Sequence, residues 1–211
     1  MLARSANQAL FLTLLRTQKP PIVCATGPAG TGKTFLACSI GAEALAHRRV
    51  DRLVLTRPAV SVEEQHGFLP GSLEKKMDPW TRPMFDALRK YYTPKQLQTM
   101  VNEGIIEICP LAYMRGRSFE KSWIVADEMQ NSTQGQMRMV LTRIGEGSKL
   151  VLTGDPSQHD RGFEENGFFD FLKRLQDRPS NFIEHVEFSD SEIVRHPVIK
   201  EVLDIYNLRN T

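Results

Sequence analysis

Three stretches of the chain end in residues whose types and spacing suit work on a phosphate anhydride. The first is Gly27, Pro28, Ala29, Gly30, Thr31, Gly32, Lys33 and Thr34, a complete Gly-x4-Gly-Lys-Thr loop. Its glycines let the backbone turn N–H groups inward around phosphate oxygens. A helix starting in the loop adds the partial positive charge of its N-terminus. Lys33 supplies a point charge for the outer phosphates, and Thr34 a hydroxyl for Mg²⁺. In the second stretch, apolar Trp123, Ile124, Val125 and Ala126 run into Asp127 and Glu128. Beside a phosphate loop, such an Asp holds the metal, and the Glu can orient or deprotonate a water. By itself the acid pair would read equally as the start of a helix. In the third, Leu150 to Thr153 lead into Gly154, Asp155, Pro156, Ser157 and Gln158. Gln158 could sense the terminal phosphate or position water, although an Asp-Pro turn alone gives the same pattern.

These residues need a scaffold that brings three strand ends to one edge. The apolar runs at 22–25, 51–56, 105–109, 123–126, 149–153 and 182–188 predict strands. Helices are predicted over 5–18, 33–46, 81–92, 94–102, 133–144, 168–176 and 197–208, the first with Leu10, Leu14 and Leu15 on one face. Residues 57–79 read as irregular because of Pro58, Gly67, Pro70, Gly71 and Pro79. A loop of that length in a compact domain is usually functional. Continuously apolar strands separated by helices imply a mainly parallel sheet covered on both faces. Ligands bind such sheets at the carboxyl edge.

Composition narrows the classes. A chain of 211 residues fits one domain. A net charge of +2 is too small to mark a dedicated nucleic-acid binder, so any such contact would come from a local patch. Cys24, Cys38 and Cys109 form no Cys-x-x-Cys pair, which argues against zinc and redox chemistry and suits a reducing cytoplasm. The histidines at 47, 66, 159, 185 and 196 lack metal-ligand spacing. No apolar run is long enough for a membrane span. In segment 57–79, Arg57, His66, Phe68, Lys75 and Lys76, with adjoining Trp80, could touch nucleic acid or a neighbouring subunit. Glu63, Glu64 and Glu74 dilute that charge and favour packing or an interface. Arg115 and Arg117, flanking Gly116, form a second, smaller basic site.

Taken together, these motifs resemble the PhoH family of P-loop ATPases, relatives of the superfamily-one helicase core. The resemblance runs from Asn7 to about Asn207. It includes Asn7-Gln8, the loop at 27–34, Leu55 to Val60, Gly67 to Gly71, Asp78-Pro79, Arg115 to Phe119, Asp127 to Asn131, Gly154 to Gln158, and Ser191 to Pro197. It implies a three-layer α/β P-loop NTPase (RecA-like) fold over a single domain, 1–211, with ATP and Mg²⁺ as cofactors. Gln8 resembles the glutamine that reads adenine, since a carboxamide offers both donor and acceptor. That glutamine, and the absence of an Asn-Lys-x-Asp motif, favour ATP over GTP. Lys33, Glu128, Gln158 and Arg195 are the implied catalytic set, residues 27–34 with Gln8 the nucleotide set, and Thr34 with Asp127 the metal set. Arg57 and Arg195 are candidates for the γ-phosphate, within the subunit or across an interface; a structural ion pair would account for either as well. The family resemblance also implies a homo-oligomer, a ring of six subunits, and single-stranded RNA as a partner.

Two other functions use similar motifs. A small-molecule kinase would need an Arg-rich lid over its acceptor, which the chain lacks. A nucleotide-dependent assembly protein would bind ATP with little turnover.

Overall fold

The computed structural model describes residues 2–58, 73–155, 158, 166–194 and 198, with residues 73–80 as backbone only. Helix α1 (Ala6–Arg16) starts at Ser5, whose side chain accepts from the Gln8 N–H. It buries Gln8, Phe11, Leu12 and Leu15, a helical i, i+3, i+4, i+7 stripe. Of the leucines expected on one face, Leu15 is buried and Leu14 packs against the core, whereas Leu10 is 48% exposed. The phosphate loop links β1 (Ile22–Thr26) to α2 (Lys33–Ala46). Then come β2 (Arg52–Thr56), α3 (Leu73–Leu88), α4 (Pro94–Asn102), β3 (Ile106–Ile108), β4 (Ser122–Ala126), α5 (Gln134–Leu141), β5 (Lys149–Gly154), α6 (Gly167–Asp177) and β6 (Ile183–Glu187).

Helix α3 corrects the expected irregular stretch, since it begins at Leu73 and runs through Pro79 and Pro83. An interior proline costs about 3 kcal/mol in a helix. Burial of Met84, Ala87 and Leu88 at helical spacing opposes that cost. The expected helix at 197–208 and most of segment 57–79 lie outside the described residues.

The six strands form one parallel sheet in the order β3-β2-β4-β5-β1-β6. The strand carrying the phosphate loop and the strand carrying the acid pair are thus separated by β5, whose Val151 pairs with both Val23 and Val125. Alternate residues feed two cores. Val23, Leu53, Leu55, Trp123, Val125 and Val151 join Phe11, Leu36 and Ile40 on one face. Cys24, Val54, Ile124, Leu150 and Leu152 join Met129, Met137 and Phe168 on the other. The fold is therefore the expected three-layer P-loop architecture. Gly41 lets α2 lie close on the sheet: a Cβ there would come within 2.6 Å of the Trp123 ring, whose indole N–H donates to the Ala37 carbonyl at 3.1 Å. Cys24, Cys38 and Cys109 are buried free thiols. Among the described residues no helix is long and apolar enough to cross a membrane.

Candidate nucleotide site

At the carboxyl end of β1 the chain turns through Gly27, Gly30 and Gly32, with φ of 128°, 90° and 88°. These values favour glycine and allow the loop to wrap around Lys33. Gly32 caps α2 without a side-chain acceptor, so the first-turn N–H groups are available for an anion. The Lys33 ammonium donates to the carbonyls of Gly27 (2.6 Å) and Pro28 (2.9 Å) and to Thr31 Oγ1 (3.3 Å). Thr31 Oγ1 in turn donates to the Pro28 carbonyl at 3.0 Å, and Ala29 is exposed at the tip. Burial lowers the Lys33 pKa, opposed by the charges of Asp155, Asp127 and Glu128.

The β4 and β5 ends meet this loop. Thr34 Oγ1 donates to Asp127 Oδ1 at 2.6 Å, and Thr153 Oγ1 donates to the same oxygen. A carboxylate and a hydroxyl in contact are hard oxygen donors of the kind Mg²⁺ takes, together with phosphate oxygens. Among the described residues no His, Cys, Asp and Glu cluster could hold a metal by itself. Glu128 follows at φ 54°, a backbone conformation uncommon outside glycine and often found at functional sites. Its carboxyl pKa is raised by burial and by Asp127, against the hydrogen bond from Gln130 and the charges of Arg57 and Lys33.

Gln130, quoted above only as part of a motif, has a specific place. It is 1% exposed. Its amide nitrogen donates to Glu128 Oε2 at 2.5 Å, and its amide oxygen accepts from the Asp155 N–H at 3.1 Å. Asp155 Oδ2 accepts from Gln158 Nε2 at 2.8 Å. Gln130 therefore ties the Glu128 carboxylate to the β5 loop that carries Gln158. Gly154 makes room for it, since a Cβ there would lie 2.7 Å from the Gln130 oxygen. The signal in the sequence was a side chain with both donor and acceptor two residues beyond the acid pair.

Gln8 sits against the loop, 5% exposed. Its nitrogen donates to the Thr31 carbonyl at 3.0 Å, and its oxygen accepts from the Arg4 N–H at 2.9 Å. Asn7 beside it donates to the Glu187 carbonyl and to Glu192 Oε2, both at 2.8 Å. Phe188 N–H donates to the Thr26 carbonyl at 2.8 Å and Val194 N–H to the Gly30 carbonyl at 3.0 Å. The segment after β6 thus braces the loop. The Glu192 pKa is about 2: burial raises it, but hydrogen bonds from Ser5, the Ser189 backbone, Asn7 and the Ser189 hydroxyl pull it further down. Because it is depressed, this contribution to stability is present above the ordinary carboxyl pKa of 4.5 and fades as pH falls toward about 2. Glu192→Gln should therefore lower the melting temperature at pH 7, with the gap from wild type closing in acid; thermal melts across that range check it.

Arg57, at the end of β2, is half-buried and acts electrostatically on Glu128. Arg195, and His66 and Phe68 of the 57–79 segment, lie outside the described residues, as do the side chains of Lys75, Lys76 and Trp80. Gln158 is exposed. The smaller basic site is altered by a partner: Arg117 pairs with Glu107 and lies 4.5 Å over the Phe119 ring. His185 bonds Thr26 Oγ1 at 2.7 Å.

A family model described as PhoH-like protein matches residues 1–207. PhoH-like proteins of Synechocystis and Mycobacterium tuberculosis are 42% and 45% identical, over 97% and 88% of this chain. Protein PhoH of Escherichia coli is 37% identical over 98%. The chain spans 61%, 52% and 58% of those relatives, so it matches little more than half of each. Among solved structures, the large terminase of a thermophilic bacteriophage superposes over 94% of this chain and 49% of its own, with a TM-score of 0.56 and 13% identity. That likeness concerns the fold alone.

Proposed function

The chain belongs to the PhoH-like family, and from that premise we propose that it binds ATP with Mg²⁺ and hydrolyses it. The observation that carries this reading is the convergence of Lys33, Thr34, Asp127 and Glu128 at one sheet edge, with Thr34 and Asp127 2.6 Å apart. Backbone N–H groups of residues 27–34 cradle the phosphates, and Lys33 exchanges the loop carbonyls for the outer phosphate oxygens. Thr34 and Asp127 hold Mg²⁺, which when bound neutralises charge on those oxygens. Glu128 accepts a proton from the attacking water, and Gln130 fixes the carboxylate for that task. Gln158, whose amide donates to Asp155, is a further candidate to sense the terminal phosphate or position water, and Arg57 supplies positive charge beside Glu128. Gln8, held at the loop, contacts the base, and Arg195 is a further candidate for the γ-phosphate. We place the protein in the cytoplasm, in keeping with its buried free thiols.

The test is phosphate release from ATP with and without Mg²⁺, and with and without single-stranded RNA, on protein whose mass is followed by sedimentation in the same buffer. Hydrolysis that requires Mg²⁺ supports the proposal, stimulation by RNA identifies the partner, and a nucleotide-dependent rise in mass supports a ring. Phosphate transfer to a small acceptor in preference to water would establish a kinase, and tight binding without release an assembly protein. Gln130→Ala should reduce kcat about ten- to a hundredfold through a misplaced carboxylate, with the ATP dissociation constant unchanged. Single-turnover assays beside equilibrium titration separate the two.

A further inference from the structure

A second concavity lies at the opposite, amino-terminal edge of the sheet. It opens between the C-terminal ends of α1 and α2, the starts of β1, β4 and β5, and the turn at 145–148, with a volume of about 550 Å³. That is within the ordinary size of a small-molecule site. Its floor is formed by core residues, Leu15, Ala44, Val50 and Trp123, and the exposed ring of Phe182 stands at its mouth. Its charge is one-sided. Arg16, Lys19, Arg49 and Lys149 line it, against Glu146. Arg16 and Arg49 share a single carboxylate, Glu43, at 3.4 and 3.2 Å.

Lys149 is 5% exposed and donates only to neutral carbonyls, those of Leu14 and Thr17 at the end of α1. Among the described residues no carboxylate pairs with this ammonium, which meets only the partial negative charge of the α1 C-terminus, and burial pushes its pKa down to about 8. Buried charges are usually paired. Here the side chain lines the cleft.

We propose that this cleft binds a small anionic amphiphile: an apolar body of one or two rings, or a short branched chain, carrying one carboxylate, sulfonate or phosphate group. The apolar floor takes the body, and Lys149 with Lys19 and Arg49 takes the anion. A second copy of this chain fits less well, because symmetric pairing would bring two cationic rims together.

The probe is 1-anilinonaphthalene-8-sulfonate, compared with uncharged N-phenyl-1-naphthylamine. The chain has two tryptophans, so Trp80→Phe leaves Trp123, in the cleft floor, as the sole energy donor. The expected result is one sulfonate probe bound per chain, with energy transfer from Trp123. Lys19→Gln combined with Arg49→Gln, both exposed positions, should weaken the sulfonate about fivefold and leave the neutral probe unchanged. Circular dichroism confirms that the variant folds. Equal binding of both probes, no transfer from Trp123, or no effect of the double variant would overturn the proposal. Dimerisation that the probe reverses would instead assign the cleft to a second copy.

Discussion

Glu128→Gln should cut steady-state ATP turnover by about a hundred- to ten-thousandfold and leave ATP affinity within about twofold. The substitution keeps shape and keeps an oxygen that can accept from Gln130, which bonds Glu128 Oε2 at 2.5 Å. It removes the one property a water-activating group needs, a carboxylate able to take a proton. Phosphate binding rests on the loop, Lys33 and Thr34, which the change leaves alone. The same variant carries a second expectation of opposite sign. The Glu128 pKa is raised, first by burial and then by Asp127. A raised carboxyl pKa means that ionisation costs folding free energy. The cost is absent below the ordinary value of 4.5 and grows as pH climbs through the folded pKa. Glu128→Gln should therefore melt higher than wild type at pH 7, and the difference should shrink toward pH 4. Higher stability with lost turnover is what a strained functional residue predicts. Turnover that survives the change would remove Glu128 from the proposed chemistry, and a lower melting temperature at pH 7 would contradict the electrostatic account.

The phosphate loop and the acid pair were legible in the sequence because their chemistry is local: glycines, a lysine and a hydroxyl in adjacent positions, and an apolar strand that ends in carboxylates. The covered parallel sheet was legible from continuous apolar runs. What escaped was set by tertiary packing. Nothing near Gln130 in sequence announces that its amide oxygen meets the Asp155 N–H, 25 residues away. On α1 the expected face holds at Leu14 and Leu15 but not at Leu10, which looks equally apolar in the sequence, whereas the neighbouring layer selects Gln8, Phe11, Leu12 and Leu15. The inward turn of Gln8 follows from a partner, the Thr31 carbonyl, that exists only in the fold. Proline punctuation misplaced the start of α3, where core contacts of Met84 and Leu88 outweigh local propensity. The cleft at the far edge has no motif at all, since its lining comes from six separate segments.

Gly27→Ala should be the most damaging single-methyl change in the phosphate loop. At φ 128° the backbone there favours glycine, and a Cβ would stand 2.2 Å from the Phe188 carbonyl oxygen. Phe188 cannot easily yield. Its N–H is bonded to the Thr26 carbonyl at 2.8 Å, its ring packs edge-on against Phe11 at 5.8 Å, and Asn7 holds the preceding carbonyl. Relief therefore requires pulling β6 from β1 or distorting the loop. Backbone strain of about 1–3 kcal/mol adds to an overpacking cost of about 1–3 kcal/mol. For a chain of this size that corresponds to a melting temperature lower by about 10 °C. ATP affinity should fall as well, because the Gly27 carbonyl is one of the groups that position Lys33. Gly116→Ala is the matched control: its φ is 78° but nothing lies within 4 Å of the added methyl, so it carries strain without collision and should lose only about 2–4 °C. Melting curves of the two variants side by side separate steric contact from dihedral strain. Equal shifts would mean that the close approach of β6 to the phosphate loop does not constrain it.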